Sequence, residues 1–364
     1  MQRRTFLERG VGVSIGALGL GLPSAARFAR AADESQWRTF EVVTRVEPTA
    51  PAGLTRAWVP LPLLTDTDYF RRLGDTWKSN GSARLLRDDK YDAGFLYAEW
   101  PAAEKAPELE IASRFSTRDR FVDVTRPPAG RAKEDAASLR KYVQPTRLIP
   151  TDGLVRETAQ QIVKGETTEV GKARAIYEWI VENTFRDPKT RGCGLGDVST
   201  MLETRNLGGK CADLNALYVG LARAVGLPAR DVYGVRCADS ATFKSLGKSG
   251  DITKAQHCRA EVWLTGYGWV PVDPADVRKV VLEEAPAGLP LDDPLVRKAR
   301  AKLFGAWEMN WLPYNYAHDV KLPNSDGKPV PFLMYPQAET GGERKDSLDP
   351  ATFTYRIVVR ELTG

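Results

Sequence analysis

The stretch from Asn206 to Arg230, NLGGKCADLNALYVGLARAVGLPAR, constrains the fold most. Leu214, Leu217, Leu221 and Val225 recur at spacings of three and four, and Tyr218 and Ala222 fill the same stripe. That period predicts an amphipathic helix. Gly226 supplies a stop and Pro228 blocks continuation. Gly208 and Gly209 let the backbone approach a ligand closely at the helix start. Cys211 therefore falls in the first turn, where unpaired N–H groups and the positive end of the dipole stabilise an anion. Lys210 adds a positive charge beside it. A free cysteine is most often a small buried apolar residue. At this position it can also be a thiolate nucleophile.

The first residues read as an export signal. Arg3 and Arg4 precede Phe6 and Leu7, an uncharged run extends from Gly10 to Leu22, and Ala29-Arg30-Ala31 has the small-x-small form of a cleavage site. This is a twin-arginine pattern, which predicts a folded protein delivered to the periplasm or secreted. The run is too short and glycine-rich for a membrane span of about 20 residues, so no integral membrane segment is expected after cleavage. Residues 1–31 hold five arginines and one acid, a net of +4, which leaves about +1 of the chain's +5. The basicity is mostly the signal, and no basic stripe with interleaved aromatics supports nucleic-acid binding. Four cysteines are too few for a disulfide scaffold, so the fold must rest on a buried core.

From Gln36 to Val124 the segments WRTFEVVTRVEP, TRAWVPLPL, FLYAEWP and PELEIASRFSTRDRFVDV alternate and are rich in β-branched and aromatic residues. They predict an antiparallel β domain over 32–125. A linker and helix over 126–149 follow. The next segment, 150–285, mixes helices with strands: a helix capped by Thr151, another over TTEVGKARAIYEWIVENTF, the Cys211 helix, then RDVYGVRCA, HCRAEVWL and WVPVD. FRDPKTRGCGLGDVSTMLETRNLGG reads as a long irregular connection, often functional in compact domains. Residues 286–364 should supply a helix capped by Asp293 and strands that pack on the core. The class is α+β.

A cysteine nucleophile needs a base, and the chain has only His257 and His318. His257 opens the hairpin QHCRAEVWLTGYGWVPVDP, and Asp273 lies at its far end. A hairpin symmetric about Thr265 puts the two opposite each other on one face, with Cβ atoms about 4.5–5.5 Å apart. Asp276 has the other parity and would face away if the strand continued. Glu261 shares the His257 face, as a support for the site or as a structural partner of Arg259 or Arg236. The backbone N–H of Cys211 is the natural oxyanion donor. A second donor is open, with Asn206 as one option. Cys193 reads as a loop packing or disulfide residue. Cys237 and Cys258 are either bridged or both reduced.

GGKCADLNALYVGLARAVGLPAR, HCRAEVW and YGWVPVDP, in this order and spacing, closely resemble the transglutaminase-like superfamily over roughly residues 172–280. The resemblance implies a compact papain-type core behind the N-terminal β domain, with Cys211 as nucleophile, His257 as base and Asp273 as orienting acid. It implies thioester chemistry on peptide or protein amides, most simply hydrolysis. The alternatives are transfer to an amine and a non-catalytic domain that binds peptides or cell-wall fragments. No cofactor is expected: two histidines and dispersed cysteines give no zinc spacing, no calcium loop is present, and GCGLGD lacks the lysine of a phosphate loop. Oligomeric state is not legible.

Replacing Arg3 and Arg4 together by lysine should leave precursor in the cytoplasm, with the normal mature N-terminus near Ala32. Fractionation and N-terminal sequencing check this, and undiminished export would contradict it.

Overall fold

Burial differs among the first strands, from both faces at Thr55–Pro60 and Gly94–Trp100 to largely exposed at Ser82–Arg87. The computed structural model describes residues 37–127, 130 and 133–362; the export signal read at 1–31 lies outside the described residues. Strands of three or more residues are numbered here. The front of the chain forms β1 (Arg38–Pro48), β2 (Thr55–Pro60), β3 (Phe70–Ser79), β4 (Ser82–Arg87), β5 (Gly94–Trp100) and β6 (Leu109–Thr117). They enter two antiparallel sheets. Val46, Val59, Leu96, Trp100 and Ile111 bury their side chains between the sheets.

Sequence periodicity misses β3 and β4. Both are edge strands, and edges are kept polar against unwanted pairing. Their mixed polar pattern therefore carries no alternation, and β3 is bulged where Gly74 takes φ 120°.

The helices are α1 (Ala136–Lys141), α2 (Gly153–Ile162), α3 (Glu169–Asn183), α4 (Val198–Thr204), α5 (Cys211–Ala224), α6 (Pro274–Glu283) and α7 (Pro294–Lys302). Two differences from the sequence reading matter. The connection before α5 is not irregular throughout: Asp197 caps α4, and Phe185–Arg186 pairs in parallel with Gly208–Gly209. The chain after the hairpin turns at once into α6, because Asp273 is an N-cap and Pro274 suits the first helical position.

The central sheet runs β9 (Gly268–Val272), β8 (Gln256–Leu264), β7 (Ala229–Arg236) and β10 (Trp311–Asn315) in that order. The helices cover one face. Leu214, Leu217 and Leu221 of α5 pack there with Ile176 and Ile180 of α3 and Val262 of β8. The other face, with Val232, Val235 and Trp311, packs on Phe40, Phe70 and Phe115 of the front sheets. β11 (His318–Val320) and β12 (Val330–Phe332) form a small pair. β13 (Gln337–Thr340) then adds to β2, and β14 (Phe353–Leu362) adds to β1. Among the C-terminal strands, β10 is in the central sheet, β13 completes one front sheet, and β14 completes the other while burying Ile357 and Val359 against Val232, Val235 and Trp311.

Phe115 is fully buried and stacks on Phe40 and Phe70 at 5.6 and 6.0 Å between centroids. Phe115→Ala should cost about 3–5 kcal/mol of stability in urea melts. Leu73→Ala, at a 54% exposed edge position, should stay within about 0.5 kcal/mol.

Candidate active site

Cys211 is the first residue of α5, and a clamp built by Asp213 sets its surroundings. Asp213 Oδ1 accepts from the N–H groups of Leu195 and Gly196 at 3.0 and 2.9 Å, and its Oδ2 accepts from Lys210 N–H at 3.0 Å. Ala212 N–H also bonds to Cys193 O at 2.9 Å. The GCGLG loop is thereby fixed against the helix start. Gly194 has φ 93°, and a Cβ there would lie 1.8 Å from Asp213 Oδ2. Only glycine fits.

The Cys211 thiol is held well below the ordinary thiol range. Hydrogen bonds from the Cys193 and Cys258 thiols are the strongest cause, joined by a hydrogen bond and positive charge from His257, and together they outweigh burial. Cys193 is pushed up by the same contact and by burial, and its single S–H is shared between Cys211 and Gln256 O, which lies 3.2 Å from its Sγ. Cys258 is pushed up chiefly by burial. The shifts of the three sulfurs thus run in opposite directions, with Cys211 the one lowered.

His257 stands opposite Gly234 in the central sheet. The expected register of its hairpin is off by one. Ala260 pairs with Val272 and Leu264 with Gly268, so the loop centres on Gly266, not Thr265. Gly266 supplies the positive φ of 87°, and Tyr267 N–H bonds Leu264 O at 2.9 Å. Arg259 consequently stands across from Asp273, and His257 lies on the diagonal of the same face. The N-cap role of Asp273 closes the gap. Its Oδ1 accepts from Asp276 N–H at 3.1 Å and Asn215 Nδ2 at 3.2 Å, leaving Oδ2 for His257 Nε2 at 2.8 Å.

Asp276 does not face away. It sits in the first turn of α6, with Oδ2 3.3 Å from His257 Nε2 and Oδ1 2.6 Å from Arg236 Nη2. The signal was legible as DPAD, a cap, a proline and an acid three residues on, which is a helix start and not a continuing strand. Burial and Arg236 depress the imidazole, but Asp276 and Asp273 prevail and raise it to about 9. His257, Asp273 and Asp276 present ligand atoms within 4.8 Å of one another, enough to hold a metal ion. Arg236 on Asp276, and Arg259 3.8 Å from Asp273, already supply positive charge there, so the set suits a protonated imidazole better than a metal.

The other sequence candidates separate from this site. Glu261 is fully buried and pairs with Arg120 and Arg230, neither of the expected partners. His318 is buried with Asp231 at 3.2 Å and Tyr233. Asn206 is exposed and accepts from Gly208 N–H. All four cysteines are free: Cys258 stands opposite Tyr233, four residues short of Cys237, and faces a different core. Gln256, missed by sequence reasoning, lines the same cleft as Cys211 and has a buried Nε2 without a hydrogen-bond partner. The cleft measures about 960 Å³ and reaches Cys211 and His257.

A cysteine at a helix start beside a histidine on the facing strand, with an acid behind it, is the arrangement of papain-type cysteine enzymes. The sequence profile of the transglutaminase-like superfamily matches residues 156–274. An uncharacterized protein of Haemophilus influenzae is 35% identical over 343 residues, covering 89% of this chain and 90% of its own. The crystal structure of a candidate cysteine protease from Cytophaga hutchinsonii shares the fold at 13% identity and TM-score 0.55, covering 90% of this chain and 92% of that chain. Residues 156–274 form a domain of the transglutaminase-like superfamily, which supports a cysteine-based enzyme.

Iodoacetamide at mildly acidic pH should label Cys211 long before Cys193, Cys237 or Cys258, by peptide mass spectrometry. His257→Ala should shift that reactivity toward alkaline pH only in part, because two thiol hydrogen bonds and the helix remain. Labelling of Cys211 no faster than the other three would contradict the assignment.

Proposed function

We propose that this protein is an exported cysteine-dependent hydrolase of peptide or protein amides. The observation that carries the reading is the imidazole of His257, held at 2.8 Å by Asp273 and in contact with the lowered thiol of Cys211 at the edge of an open cleft. Cys211 Sγ attacks the amide carbonyl carbon, and the tetrahedral oxyanion forms beside the α5 N-terminus. Cys211 N–H is one donor to it, and the unpartnered Gln256 Nε2 is the second. The C–N bond breaks as the imidazolium gives its proton to the leaving amine. Water then attacks the thioester, His257 takes a proton from it, and Cys211 leaves as thiolate.

Asp273 and Asp276 do different work. Asp273 fixes the imidazole orientation through a carboxylate whose other oxygen is already saturated. Asp276 raises the proton affinity of the ring from farther away, and its charge is balanced by Arg236. A domain that only bound peptides would gain nothing from burying an imidazole between two carboxylates, since buried charges are expensive.

Intact-mass analysis with a peptide library should trap an acyl adduct on wild type and none on Cys211→Ala. Release as free acid supports hydrolysis, and release only as an amide of an added amine would make the enzyme a transferase. The kcat/KM profile should fall on the alkaline side near pH 9, because His257 loses its proton there. Asp273→Asn should lower kcat by roughly 10²–10⁴, whereas Asp276→Asn should chiefly move the alkaline limb to lower pH.

A further inference from the structure

The cleft beside Cys211 is strongly one-signed. Eight of its lining side chains are lysine or arginine and one, Asp251, is acidic. Some of that charge is balanced locally: Arg356 by Asp251 at 3.1 Å and Arg191 by Asp346 at 2.6 Å. Arg186 and Lys279 share a single carboxylate, Glu283. The ammonium groups of Lys210, Lys248 and Lys254 form no ion pair with a carboxylate among the described residues, although the Lys210 backbone N–H bonds Asp213 at 3.0 Å. Lys248 and Lys254 are exposed at the rim, and Lys210 directly precedes the nucleophile position. This excess is local, since the chain after the export signal carries only about +1.

Aromatic and aliphatic groups line the rest. Tyr335, Leu348, Phe353 and Tyr355 share the cleft with these cations. Such a surface fits an extended chain with apolar backbone stretches and negative side groups. Cations focused in a cleft with low-dielectric walls raise the local concentration of an anionic ligand.

We propose that the cleft selects an acidic peptide, whose free carboxylates flank the scissile amide and meet Lys248, Lys254 and Lys210. The selectivity rests on the reading of this cleft as the active site. Binding and chemistry can nonetheless be measured apart.

The test uses Cys211→Ala protein, which cannot turn over, and two BODIPY-labelled hexapeptides, Ala-Glu-Ala-Glu-Ala-Glu and its glutamine counterpart, in fluorescence anisotropy. The acidic peptide should bind at least tenfold tighter at low salt, and the difference should shrink by 300 mM NaCl as screening grows. Adding Lys248→Gln and Lys254→Gln should remove most of the preference, and Lys248→Glu with Lys254→Glu should reverse it. Both pairs are exposed, and thermal melts confirm folding. Equal binding of the two peptides, or a preference unchanged by these substitutions, would overturn the proposal. Iodoacetamide labelling of wild type separates the two claims. Acidic preference with an unreactive Cys211 would sink the thioester chemistry alone, and a reactive Cys211 without preference would sink the acidic cleft alone.

Discussion

The buried bond between His257 and Asp273 sets the terms for everything around it. Both residues are withdrawn from water, and a charged pair in that position needs its remaining hydrogen bonds satisfied. The fold provides them from three elements. The α6 N-terminus and Asn215 of α5 saturate one oxygen of Asp273. Arg236 from β7 neutralises Asp276, and Arg259 from β8 stands near Asp273. With the two carboxylates matched by two arginines, the proposed function leaves the proton on His257 to be balanced by a thiolate at Cys211. The site is therefore a property of the packing of α5 on the central sheet and of the immediate turn from β9 into α6.

The front sheets are tied to that core through the chain ends. β14 pairs with β1 along ten residues, yet its Phe353, Tyr355 and Arg356 line the cleft. Tyr335, just before β13, accepts from Cys193 N–H at 3.0 Å through its hydroxyl. The β layers thus shape the wall of the cleft and steady the glycine loop beside Cys211. The candidate catalytic residues lie in the central unit, and the wall of the cleft is shared.

Much of this was legible in the sequence where a physical signal was strong. The α5 stripe, the glycines before Cys211 and the order of the Cys, His and Asp blocks gave the class and the three central residues, and the structure brings those three together. What was not legible depended on turn chemistry or on contacts across distant segments. A single residue of hairpin register hung on which position took positive φ, and Gly266 decided it. Asp276 was misplaced because a strand was extended through Asp273-Pro274. The grip of Asp213 on the glycine loop joins residues 17 and 18 positions apart, and the place of Gln256 in the cleft beside Cys211 comes from packing across distant segments. β3 and β4 stayed hidden because polar edge strands have no alternation to read.

The central claim is that Cys211 and His257 exist as a thiolate–imidazolium pair. Thiolate absorbance near 240 nm, recorded from pH 4 to 10 as the difference between wild type and Cys211→Ala, measures it directly. The account predicts that one thiolate equivalent is already present at pH 6, well below the free-thiol pKa of about 8.5, and stays constant to alkaline pH. A difference signal that is absent at pH 6 and emerges only above that free-thiol value would contradict it.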